Sequence, residues 1–232
     1  MNSGSGKSDV DGTGPQGGRS VFMVENSDNL TLENLTLQNT HIRSTAYSNQ
    51  AEALYFSSSK RLIAKNANFI SEQDTLQLKG YTWFYNTLVS GNVDFIWGNN
   101  VASVFENSEI RTVGDSDDGV GVETSGGYVL QARTLEENDP GFVFINSRFT
   151  SGAGPVGNTV LPGSTYIARS SGQSAYYDNV VLVNSQIGPH IAAGGWAIQG
   201  VNGQPAQIPT QVRPLQAGVN MVVPISMATH WI

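Results

Sequence analysis

The chain has no cysteine, which removes disulfides, Cys-ligated zinc and thiol nucleophiles together. Charge is scarce as well. Asp, Glu, Lys and Arg make up 13% of the 232 residues, about half the roughly 25% of a typical soluble domain. Basic residues are the rarer sign, 12 against 19 acidic for a net charge of -7, which argues against a nucleic-acid groove. No apolar run approaches the ~20 residues of a membrane-spanning helix, and residues 1–20 hold no signal-peptide-like core. His41, His190 and His230 stand far apart and no G-x-S-x-G occurs, so a His-based metal site and a Ser-His-Asp esterase both lack support. The G-x-G-x-x-G match at Gly12–Gly17 follows no strand and contains Pro15, so it reads as a loop rather than a nucleotide site.

In place of charge there are 26 Gly, 20 Asn and many Ser and Thr. All are poor residues for helix interiors, so long amphipathic helices are not expected. With 39% hydrophobic and 9% aromatic residues the chain can still bury a core. A short phrase recurs: an Asn, two residues, then an apolar residue. It begins at Asn34, Asn66, Asn86, Asn107, Asn146 and Asn184, with separations of 32, 20, 21, 39 and 38 residues. The shortest spacings suit one coil of a β-solenoid, and the longer ones leave room for inserted loops. Short β-type runs flank the phrases, as at Val101–Phe105, Phe142–Ile145 and Val180–Val183. A right-handed parallel β-helix is therefore expected, all-β, with Asn at equivalent corners bonded to their counterparts above and below. The expected organisation is a flexible segment at 1–19, the β-helix at 20–198, and a Pro-rich extension at 199–232 packed on it. Asn29 and Asn34 open glycosylation sequons but fall in a predicted strand, so a structural role is expected for both.

Residues 49–98 carry the chemistry. Gln73 lies 23 residues after Gln50, and Asp94 lies 20 after Asp74. One solenoid coil takes about that many residues, so these groups stack as a column on one face. Asp94 stands inside the apolar run VDFIWG, where a carboxylate is costly to desolvate unless a cation meets it. Two carboxylates on adjacent coils titrate as a coupled pair, one pushed to a higher pKa than the other. That suits one nucleophile and one general acid/base, with Gln amides as neutral donors to an oxyanion. The plainer alternative is that both Asp cap turns.

At these residues the chain resembles the pectin methylesterase family, aspartyl carbohydrate esterases on a right-handed parallel β-helix. The family segments Q-A-V-A-L, Q-D-T-L, D-F-I-F-G, Q-G-R and G/A-R-P-W are matched, in order, by QAEAL from Gln50, QDTL from Gln73, DFIWG from Asp94, QAR from Gln131 and ARSS from Ala168. The resemblance implies hydrolysis of methyl esters on galacturonate residues of pectin. Asp94 would be the nucleophile and Asp74 the general acid/base, with Gln73 and Gln50 holding the oxyanion and Arg169 paired with Asp94. Val93, Trp97, Arg133 and Trp196 would line the sugar cleft. No cofactor or metal is implied, and the location would be extracellular or periplasmic. Two departures stand out: Ser170-Ser171 replace the family Pro-Trp, whose Trp walls the sugar, and the family's first coils are absent before Val21. The exposed first coil is expected to drive self-association or pairing with an N-terminal partner piece. Three other functions compete: a calcium-dependent lyase using Asp115, Asp117 and Asp118, a non-catalytic polysaccharide-binding β-helix, and an esterase or thioesterase of altered substrate. The acidic trio reads more simply as a solvated loop.

Overall fold

Asn is among the few residues with a side chain that enter the left-handed backbone region readily. The structure, a computed structural model, describes residues 19–45, 49–173 and 175–197. In it the six phrase-opening Asn all have φ between 50° and 56°. Each follows one short strand directly and turns the chain into the next. The corner is therefore made by the backbone preference of Asn. Side-chain stacking between corners is the lesser part of the expectation: one Asn–Asn bond links two of them, Asn86 Nδ2 to Asn66 Oδ1 at 2.8 Å. The next position inward carries the ladder instead. Thr87 and Ser108 hydroxyls lie 3.0 Å apart, the Ser108 N–H donates to Ser147 Oγ, and the Ser147 N–H donates to Ser185 Oγ.

These corners separate three six-stranded parallel sheets. In chain-order numbering, the first sheet holds β1 (Phe22–Glu25), β4 (Leu54–Ser57), β7 (Leu76–Leu78), β10 (Val93–Gly98), β14 (Tyr128–Ala132) and β18 (Tyr166–Ser170). The second holds β2 (Leu30–Glu33), β5 (Arg61–Lys65), β8 (Gly80–Tyr85), β11 (Asn100–Glu106), β15 (Gly141–Ile145) and β19 (Val180–Val183). The third holds β3 (Thr36–Gln38), β6 (Asn68–Ile70), β9 (Leu88–Gly91), β12 (Glu109–Val113), β16 (Arg148–Gly152) and β20 (Gln186–Ile187). One strand from each sheet makes a coil, and the described residues form six coils of a parallel β-helix. A small pair, β13 (Glu123–Thr124) with β17 (Thr159–Val160), joins two of the inserted loops. The described residues contain no α-helix, so none long and apolar enough to cross a membrane.

Inside, apolar residues stack in columns from coil to coil. Phe84, Phe105 and Phe144 lie face to face at 4.7 and 4.9 Å between ring centroids. Leu54, Leu76, Ile96, Leu130 and Ala168 form a second buried column under the first sheet. Asn29 and Asn34 stand at the two ends of β2 with φ of 55° and 56°, not within the strand as expected. The segment expected at 1–19, apart from Arg19, and the extension expected at 199–232 lie outside the described residues.

Candidate active site

The first sheet presents its outward residues in register. One row runs Tyr55, Gln77, Trp97, Gln131, Arg169 across β4, β7, β10, β14 and β18. A second runs Gln73, Val93, Tyr128, Tyr166. Asp94 stands between the rows because β10 carries an extra residue there: Val93 pairs with Tyr128, but Ile96 pairs with Leu130. Such a bulge bends a strand and re-aims a side chain. Asp94 takes φ 47° and Asp74, one coil away, φ 61°. Left-handed backbone at a non-Gly residue is a form of local strain that gathers at functional sites. Gly98 ends the strand at φ +136°, where a Cβ would lie 2.1 Å from the Leu78 carbonyl oxygen, so this close approach of coils requires glycine.

Asp94 is buried and fully engaged. Arg169 Nε donates to its Oδ1 at 2.8 Å, and Arg169 Nη2 donates to Oδ2. Gln131 Nε2 donates to the same Oδ2 at 2.8 Å. The Gln131 amide is oriented in turn, since its Oε1 accepts from Arg133 Nε at 2.8 Å. Both arginines lie over aromatic rings, Arg133 4.6 Å from the Trp97 centroid and Arg169 4.2 Å from that of Tyr128. A cation on a ring face gains electrostatic attraction and keeps its fork aimed.

Asp74 differs from Asp94. Burial pushes its carboxyl well above the usual carboxylate range, and the nearby Glu52 and Asp94 push the same way against Arg19 and Arg133. Its neighbour Gln73 has its side-chain Oε1 occupied by Arg43 Nη1, and Arg43 Nε is held 2.9 Å from Asp115 Oδ1. An amide whose oxygen is taken has its NH2 left to donate. Gln50 lies half-buried before β4, next to the Ala51 N–H that donates to the Gln73 carbonyl.

The structure thus brings Asp94, Asp74, Gln73, Arg169, Arg133, Val93 and Trp97 to one face of the first sheet, with Gln50 at its margin. Trp196 is not on that face. It is 5% exposed and packs in the core at the last coil, beside Ala168. Ser170 and Ser171 form no wall either: both are buried, and their hydroxyls accept from the N–H groups of Gly172 and Gln173. Asp115 caps the 3₁₀ turn Ser116–Asp118 and pairs with Arg43. Among the described residues no group of three or more His, Asp or Glu is placed to hold a metal.

The pectinesterase family model matches residues 4–206. The chain belongs to the pectinesterase family. A pectinesterase of Ralstonia solanacearum is 29% identical over 179 residues, 72% of this chain and 43% of the relative. Pectinesterase 2 of Olea europaea is 29% identical over 64% of this chain and 35% of its own length. The matched stretch thus spans less than half the length of these curated relatives. Among solved structures, the pectin methylesterase of Yersinia enterocolitica shares 29% identity with a TM-score of 0.61, over 75% of this chain and 59% of that one. A pectin methylesterase mutant in complex with a hexasaccharide superposes with a TM-score of 0.67 at 22% identity, over 81% of this chain and 60% of that one. The last shows the fold.

Two contacts of this pectinesterase-family chain escaped the sequence reading. Gln131 was visible as a motif, but its bond to Asp94, 37 residues away, depends on the pairing of β10 with β14. Arg43 carried no signal: it reaches Gln73 from a loop, and no periodic pattern marks it.

Proposed function

We propose that this chain is a carboxylic ester hydrolase of the pectinesterase type, removing methyl esters from galacturonate residues of pectin. The observation that carries the reading is the pairing of unlike carboxyls on adjacent coils. Asp94 is held by Arg169 and Gln131, while burial and like charge favour the proton on Asp74. In this reading the Asp94 carboxylate attacks the ester carbonyl, and the amide N–H groups of Gln73 and Gln50 receive the oxyanion. Collapse of the tetrahedral species breaks the bond to methoxide, and Asp74 supplies the proton that makes it methanol. Asp74 then takes a proton from the water that attacks the anhydride, which frees the acid and restores Asp94. Val93, Trp97 and Arg133 flank the acyl site. Arg133 and Arg169 concentrate positive charge there on a chain of net charge -7, as an acidic polymer requires. A polymeric wall substrate agrees with an extracellular or periplasmic location.

A second reading keeps the same machinery and changes the ester. It is favoured by Ser170 and Ser171, whose turned-in hydroxyls leave no ring where the family Trp would stand. Methanol release from highly methylated pectin, run beside aryl esters and thioesters, separates the two. Asp94→Asn should abolish turnover of whichever ester is cleaved, while Gln73→Ala should lose about 10²–10³-fold in kcat, as for one oxyanion donor. Wild-type turnover by Asp94→Asn would remove the nucleophile assignment.

A further inference from the structure

Three acidic side chains occupy successive coils along the first sheet. Glu52 precedes Leu54 by two residues and Asp74 precedes Leu76 by two, and Leu54 pairs with Leu76. The register continues back through this stretch: the Ala53 N–H donates to the Thr75 carbonyl at 2.9 Å and the Ala51 N–H to the Gln73 carbonyl at 3.2 Å. The bridge between Gln73 and Val93 carries the column on to Asp94. Its two ends each hold a guanidinium. Arg19 Nη2 lies 2.8 Å from Glu52 Oε1, and Arg169 Nε lies 2.8 Å from Asp94 Oδ1. Among the described residues no ion pair reaches the middle member, Asp74. Glu52 is 0% exposed, so its charge acts through protein rather than water. It stands where the segment Q-A-V-A-L has Val, so an ester hydrolase of this plan does not need it for contact with substrate.

We propose that Glu52 is a positioning residue of this site: its buried charge keeps a proton on Asp74 and so makes Asp74 the acid of the pair. The catalytic consequence rests on the ester-hydrolase reading above, whereas the protonation itself does not. The charged groups that act on Asp74 are Glu52 ahead of β4, Asp94 in β10, Arg19 ahead of β1 and Arg133 after β14. Burial and the two carboxylates favour the proton, and the two arginines oppose it. Removing Glu52's charge takes away a like charge beside Asp74 and the countercharge that Glu52 gives Arg19, so both changes act in one direction.

The test is a titration of the Asp74 carboxyl by carbon-13 NMR, assigned with Asp74→Asn, in wild type, Glu52→Gln and Glu52→Asp. In Glu52→Gln the midpoint should fall by about one pH unit or more, the effect of losing a close like charge. Glu52→Asp retains the charge and should keep most of the wild-type midpoint. On the ester substrate, the basic limb of kcat/KM in Glu52→Gln should move down with the NMR midpoint, with KM unchanged at low pH. Should Glu52→Gln not fold, Glu52→Val fills the same buried space without charge and should show the same fall. An unmoved Asp74 midpoint in a folded, charge-free variant overturns the inference. A moved midpoint in a protein that turns over no ester leaves the inference standing and overturns the ester-hydrolase reading.

Discussion

Asp178 sits at the end of the loop after β18, almost wholly out of water. Burial drives its carboxyl up to about 7. The folded value lies above the ordinary 3.8, so the folded state binds the proton more tightly. The stability this group contributes is full below about pH 4 and is lost as pH rises towards about 7. Asp178→Asn removes the titration. Urea midpoints measured from pH 4 to 8 should show the variant gaining on wild type as pH rises, and a gap that stays constant would rule the mechanism out. Gln131 makes the other residue-scale case. Its amide bond to Asp94 is a hydrogen bond to a charged group, worth about 1.5–3 kcal/mol. Gln131→Ala should therefore lower kcat/KM by roughly ten- to a hundredfold, with the fold kept, because Gln131 lies on the outward row rather than in the core.

At the scale of elements, the corner between second and third sheets is the unit that repeats. Asn86 takes φ 52° there and bonds Asn66 through its amide. An alanine in left-handed backbone is disfavoured by about 1–2 kcal/mol, and it also loses that bond. Asn86→Ala should lower stability by about 1–2 kcal/mol in urea denaturation, while Asn86→Gly, free of the Cβ conflict, should lose less. Equal losses from the two variants would shift the cause from backbone conformation to the side-chain bond. The bulge in β10 obeys the same logic with a different outcome: the left-handed residue is Asp94, and the bend serves to place its carboxylate between two rows rather than to turn a corner.

For the whole molecule, stability passes from coil to coil through stacked interiors. Phe105 lies between Phe84 and Phe144 and is fully buried. Truncating it to Ala opens a cavity that contacts three coils, a change that costs about 3–5 kcal/mol for Phe→Ala. Chemical denaturation of Phe105→Ala should show that loss, and far-ultraviolet circular dichroism of the native variant should keep the β spectrum. A loss below about 1 kcal/mol would mean the coils repack around the missing ring. The end strands β1, β2 and β3 have partners on one side only among the described residues. The expectation of self-association through that end is tested by sedimentation across a concentration range, where a monomer throughout would refute it.

The corners were legible from sequence because left-handed φ is a property of Asn itself, and the two shortest separations of the recurring phrase, 20 and 21 residues, pointed to a solenoid. The Gln73–Asp74 and Asp94 segments were legible for a related reason: on bare coils of 20–22 residues, sequence distance is spatial register. Beyond Asp94 the coils carry loops, the steps grow to 38 and 39 residues, and spacing no longer reports alignment. The pairing of Arg169 with Asp94 was expected from the motif, whereas the contact of Gln131 with Asp94, the reach of Arg43 to Gln73 and the burial of Trp196 were decided by the tertiary structure. Each depends on how a loop of irregular length returns its strand to the stack. Glu52 belongs to the same class: its charge was plain in the sequence, but its meaning depends on complete burial beside Asp74, which only the closed coils create.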